Sequence, residues 1–182
     1  MTFAERIEDI VENVRIAYGD VYFAYGHPQE VFNMLSKKGA SEEYRYKRFP
    51  LVALMLYNTT KESNVKGQIT MSDFEIILIT STNVNYLASD RYSDTFANTL
   101  QPLYDTLMAQ VKSSKLVTSN DHYTHSKYDI LYWGNQEYRG LRVGNDALDA
   151  IMIKDLELNL AGCSSEYTYI MAEDDKFIIT EG

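Results

Sequence analysis

Residues 48–56 read RFPLVALML, and no other stretch restricts the fold as tightly. Seven of the nine are apolar, and they do not alternate with polar residues. A strand with one face in water alternates, so an unbroken apolar run marks a strand covered on both faces. Pro50 cannot donate a ladder hydrogen bond and belongs at a strand's start or on an edge, which places the buried strand at residues 51–57. A basic, aromatic segment, YRYKR, runs into it. A second strong strand follows in DFEIILITST, where Phe74, Ile76 and Leu78 point one way and Ile77 and Ile79 the other. The ten residues between the two runs, NTTKESNVKG (58–67), are polar turn material with one apolar side chain, Val65. Two strands joined this way read as an antiparallel hairpin. The loop exceeds what a hairpin needs, which suggests a role in assembly rather than stability.

Helices frame this pair. At the N-terminus Thr2 and Glu5 have capping-box spacing, Phe3, Ile7, Ile10, Val11 and Val14 recur every three or four residues, and Gly19 can end the helix. VYFAYG (21–26) is aromatic and β-prone. In HPQEVFNMLSKKG, Pro28 suits a first helical position, Val31 and Leu35 share a face, and Gly39 can cap the end. The longest helix lies in YSDTFANTLQPLYDTLMAQVKSS. Ser93 or Asp94 can cap it, and Phe96, Leu100, Leu103, Leu107 and Val111 form its apolar face. Pro102 interrupts it, predicting a kink or two abutting helices. Weak strand signals recur near YDILYW. In LDAIMIKDLELNL (148–160), Ile151 and Ile153 alternate in one phase and Leu156, Leu158 and Leu160 in the other. Such a slip predicts a β-bulge at Lys154–Asp155. The last segments, YTYIM and KFIIT around AEDD, suit a final hairpin.

The chain has 182 residues, a size suited to one domain with an appended arm. Its net charge of −9 argues against wrapping nucleic acid, which needs a Lys/Arg surface, though not against DNA passing by. Cys163 is the one cysteine, so neither a disulfide framework nor a thiolate cluster is expected. No apolar run is long enough to span a bilayer, and MTFAERIEDI has no apolar signal core.

Candidate chemistry is sparse. His122 and His125 form an H-x-x-H pair beside Asp121, but zinc needs a third and usually a fourth ligand, and His27 is distant in sequence. A small metal-dependent hydrolase using His122/His125 is therefore the alternative reading, and solvated loop histidines the plainer one. Nothing places a histidine beside Cys163 to activate it as a nucleophile. Asp9/Glu12 and Asp174/Asp175 read as a solvated helix face and a turn. The glycines of GNQEYRGLRVG lack the spacing of a phosphate loop. Tyrosine is abundant at 15 residues, clustered at Tyr22/Tyr25, Tyr44/Tyr46 and Tyr128/Tyr132, a usage common at subunit contacts. Trp133 suits either a contact anchor or an ordinary core position.

The order of elements, and the phrases AYGHPQEVFNMLS, RFPLVALML, FEIILITST, RYSDTFANTLQPLYDTLMAQV, YWGN and LDAIMIKDLEL, carry a family resemblance. The chain resembles the tail-completion, or tail-terminator, proteins of tailed phages, and is similar to the versions found in phages and prophages of Bacteroidetes hosts, including crAss-like phages. The resemblance spans roughly residues 1–160. It implies an α+β fold, tail-terminator-like, with a mainly antiparallel sheet packed by the N-terminal helix and the long central helix. Neighbouring subunits or a second layer would cover the other face. It implies a ring-forming core (1–161) and a C-terminal extension (162–182), a β-hairpin or arm. It also implies a structural, non-enzymatic role in the virion neck or tail, assembled in the host cytoplasm. The partners would be six or twelve copies of itself, the portal or adaptor, and other tail or ring proteins. DNA would cross the channel without specific binding, and no membrane, cofactor or catalytic residue is implied.

From the histidine count and the lone cysteine we predict that purified protein holds no stoichiometric transition metal. Elemental analysis should find far less than one metal per chain, and about one zinc per chain would contradict it.

Overall fold

The computed structural model describes residues 2–39, 49–62, 69–114, 117–118, 124–133, 147–160, 170–171 and 177–178. Helix α1 (Phe3–Tyr18) starts on the expected capping box: the Glu5 N–H donates to Thr2 Oγ1 at 3.3 Å, and the Thr2 N–H donates to Glu5 Oε2 at 2.6 Å. It stops at Gly19, whose φ of 118° a side chain would resist. Strand β1 (Tyr22–Gly26), helix α2 (Pro28–Gly39) and strand β2 (Leu51–Glu62) follow. β2 pairs antiparallel with β3 (Ile69–Ser81).

A long helix, α3 (88–113), comes next. It winds as α over Ala88–Asp90, as the wider π form over Arg91–Leu100, and as α again over Gln101–Ser113. The winding answers the Pro102 question. Proline lacks an N–H and its ring crowds the carbonyl four residues back. Here the N–H of Gln101 reaches five residues back to Phe96 O, so the turn before the proline is widened and the helix continues. The helix also starts earlier than Ser93 or Asp94. Its first-turn cap is Asp90, whose Oδ2 accepts the Leu87 N–H at 3.0 Å.

Short strands complete the chain: β4 (Val117–Thr118), β5 (Ser126–Ile130), β6 (Leu148–Lys154), β7 (Leu158–Leu160), and an antiparallel pair, β8 (Ile170–Met171) with β9 (Phe177–Ile178). The main sheet is open and runs β1-β2-β3-β6-β5, with β7 beside β3 and β4 beside β7. It is mixed rather than simply antiparallel, because β1 lies parallel to β2. The reason is the connection. Parallel neighbours need a crossover, and α2 supplies it.

That crossover explains RFPLVALML. Val52 and Leu54 face one core with Ile76, Leu78, Ile151 and Ile153, roofed by Ile7, Ile10, Val14 of α1 and Phe96, Leu100, Leu103, Leu107 and Val111 of α3. Leu51, Ala53 and Met55 face a second core with Ile77, Ile79, Ala150 and Met152, covered by Val31, Phe32 and Leu35 of α2 and by Trp133. The second layer belongs to the chain itself, so no neighbouring subunit is needed to bury this strand. Trp133 is a core residue, stacked on Phe32 with ring centroids 5.2 Å apart.

The first half of the expected polar loop, through Glu62, is strand. β2 continues through Glu62, and Thr59 to Glu62 pair with Ser72 to Ile69. Residues 63–68 lie outside the described residues. The phase slip in β6–β7 is present: Ile153 and Leu156 face the same core, and Asp155 interrupts the strand at φ 59°. Yet the register against β3 is unchanged, with Ile76 opposite Ile153 and Met71 opposite Leu158. β3 slips too, at Asp73 (φ 58°), so that Met71 joins Phe74 and Ile76 on one core. The extra residue sits on β2, where pairing shifts between Leu56 and Thr59. One line of irregularity therefore crosses three neighbouring strands. Among the described residues no helix is long and apolar enough to cross a membrane.

Asp155 is exposed, and its left-handed backbone is costly for a β-branched residue. Asp155→Val should destabilise the protein by roughly 1–3 kcal/mol in denaturant titrations, while Asp155→Gly stays close to the parent. Equal stability for the two variants would mean that the backbone there is not left-handed.

Candidate functional site

Among the described residues, those nominated by sequence do not converge. His27 caps α2: its Nδ1 accepts the Gln29 N–H at 3.2 Å, and its own N–H donates to Glu30 Oε2 at 3.1 Å. His125 lies just before β5, where its Nε2 is 2.5 Å from the Tyr104 hydroxyl. Burial holds its pKa below the usual imidazole value. Asp121, His122, Cys163 and Asp174/Asp175 lie outside the described residues, as do Tyr44 and Tyr46. Glu12 pairs with Arg15, whose Nε also donates to Val21 O at 2.6 Å, and Asp9 lies on the same exposed helix face. That arrangement ties the end of α1 to the start of β1 rather than forming an acid/base pair. Among the described residues no group of three or more His, Cys, Asp or Glu is placed to hold a metal ion.

The tyrosines divide. Tyr25 is exposed and stacks on Phe23 at 5.9 Å. Tyr22 packs against the second core, and Tyr128 is exposed on β5. Tyr132 belongs to a polar constellation centred inside the molecule, which sequence reasoning missed.

Its centre is Arg91 and Asp149, both completely buried and joined by Nη1 to Oδ1 at 2.7 Å. Arg91 enters from α3 and Asp149 from β6. Arg91 Nε donates to Tyr86 O at 3.3 Å and Nη2 to Asn83 O at 3.1 Å, so the guanidinium gathers the turn between β3 and α3. The Tyr132 ring lies over the guanidinium carbon at 3.6 Å, a cation–π contact. Asp149 Oδ1 also accepts the Tyr132 N–H at 3.1 Å, which fixes that residue at φ 55°. Beside it, the Thr82 N–H donates to Ala147 O at 2.9 Å, and the hydroxyls of Thr82 and Thr95 meet at 3.1 Å. Three stretches of chain, residues 82–95, Tyr132 and residues 147–149, are tied at one point. Neither charged group reaches solvent, so the arrangement positions backbone and does not contact a dissolved substrate. The sequence signal was slight: an arginine in an otherwise amphipathic helix, and an aspartate inside an apolar strand 58 residues away.

No protein-family profile, no curated protein and no solved structure matches the chain.

Removing either partner leaves an uncompensated buried charge. Arg91→Ala and Asp149→Ala should each lose about 3–5 kcal/mol in chemical denaturation, and the paired change Arg91→Met with Asp149→Leu should recover most of it. Losses below about 1 kcal/mol would fit an exposed pair instead.

The depressed His125 pKa has a definite sign. The unfolded chain takes up this proton first, near the ordinary imidazole pKa of about 6.5, so the contribution of His125 to stability is present above that pH and falls below it. The stability difference between the parent and His125→Gln should shrink as pH drops from about 7 to 5. A difference that grows would mean that the folded state favours the charged imidazole.

Proposed function

We propose that this chain is a structural ring protein of a tailed-phage head-to-tail connector or tail, with a tail-terminator-like fold. It joins the portal or adaptor side to the tail, binds copies of itself laterally and leaves a channel for DNA. The observation that carries this reading is the ordered set of phrases from AYGHPQEVFNMLS to LDAIMIKDLEL, which follows α2, β2, β3, α3 and β6 in sequence.

Two further features support it. The sheet has different strands at its two ends, β1 and β5, and each carries an exposed tyrosine, Tyr25 and Tyr128. Distinct contact surfaces on two sides suit head-to-tail association, which closes into a ring when the rotation permits. The charge of −9 suits a lumen that DNA crosses without adhering. On this reading the protein resides in the virion neck or tail after assembly in the host cytoplasm. It works by holding neighbours in place and needs no cofactor.

Native mass spectrometry and negative-stain imaging of purified protein test the reading. The expected species are rings of six or twelve copies, or monomers that enter such rings when mixed with the portal or adaptor. A protein that stays monomeric with those partners and is missing from purified particles would refute it.

A further inference from the structure

The buried pair has an uneven geometry. Arg91 meets Asp149 through one oxygen, not through the two-pronged fork that guanidinium and carboxylate commonly form. Oδ1 accepts two hydrogen bonds, from Arg91 Nη1 and the Tyr132 N–H. Oδ2 is equally buried and, among the described residues, has no hydrogen-bond partner. Arg91 is in surplus on the donor side. A guanidinium carries five N–H bonds, and its acceptors here are Asp149 Oδ1, Tyr86 O and Asn83 O, one for each nitrogen. Nη1 and Nη2 each retain a second N–H.

A carboxylate oxygen is a strong acceptor, and leaving one dry inside a protein is costly. Internal waters occupy such places. They typically make about three hydrogen bonds to buried polar groups that would otherwise lack partners. We propose that one internal water is bound at Asp149 Oδ2, donating to that oxygen and accepting from a remaining N–H of Arg91. It completes the ion pair as a water-bridged ring. The water belongs to the fold as the side chains do: it joins β6 to the start of α3 and helps hold the turn at Asn83 and Tyr86. The chemistry of the site requires a small neutral ligand that both donates and accepts. A cation would face the guanidinium, and an anion would face the carboxylate.

Two measurements on the whole chain test this, the second with a variant as control. An atomic-resolution crystal structure should show a fully occupied water about 2.7–3.2 Å from Asp149 Oδ2 and within reach of an Arg91 nitrogen. In solution, the Tyr132 amide, which donates to the same carboxylate, should show a magnetisation-transfer signal to a long-lived water. The variant carrying Arg91→Met and Asp149→Leu should lack that signal while remaining folded. A protein donor on Oδ2, a carboxylate turned to bind Arg91 through both oxygens, or an empty space beside Oδ2 would each overturn the proposal. So would a Tyr132 amide that exchanges magnetisation with no resident water.

Discussion

A sheet that is apolar on both faces cannot stand with one face wet, and the rest of this structure follows from that requirement. β2, β3 and β6 send alternate side chains into two separate cores. Each fully buried Leu, Ile or Val is worth about 1.5–3 kcal/mol relative to exposure. A domain's net stability is only about 5–15 kcal/mol, so leaving either face open would remove the margin. The chain meets the requirement by order. α1 precedes β1 and roofs one face with α3, whereas α2 lies between β1 and β2 and must cross the other. The parallel β1–β2 pair is the geometric consequence of that crossover.

Two polar devices then set details that apolar burial leaves open. The Arg91–Asp149 pair ties the turn before α3 to β6 and to Tyr132. Buried pairs of this kind add little stability over an apolar replacement, because desolvation offsets the Coulomb attraction. Its contribution is positional: it holds the start of α3 and the turn before it against β6. The line of irregularities at Leu56–Thr59, Asp73 and Asp155 acts across the strands. It shifts the side-chain phase of β3 and β6–β7 together, so that Met71 and Leu158 continue the α1–α3 core beyond the break.

Much of this was legible in the residues, and the exceptions have physical reasons. Local signals were direct. The Thr2/Glu5 box, the five apolar positions of α3, the opposed faces of β3 and the slip at Asp155 each follow from spacing within one segment. Signals that depend on a distant partner were not. The polar run after Tyr57 reads as loop because its pairing with β3 is invisible locally, and that ladder overrides its turn-like composition. The parallel edge strand required recognising β1, α2 and β2 as one unit. Arg91 and Asp149 each look like an ordinary surface charge until the fold brings them together. The candidate site was the least legible part. His125 is engaged by a tyrosine 21 residues away, and His27 serves a helix end.

The ring proposal and the fold are consistent, because the chain buries its own sheet and leaves β1 and β5 at the two ends for contacts that assembly would use. The claim beneath both is that the fold closes without a neighbour. Hydrogen exchange, followed by mass spectrometry on protein diluted until it is monomeric, tests this most directly. Amides in residues 52–55, 76–79 and 150–153 should exchange only through global unfolding, with the slowest rates in the chain and no dependence on concentration. Rapid exchange in those segments that slows as concentration rises would show that a second copy, not α2, covers the far face of the sheet.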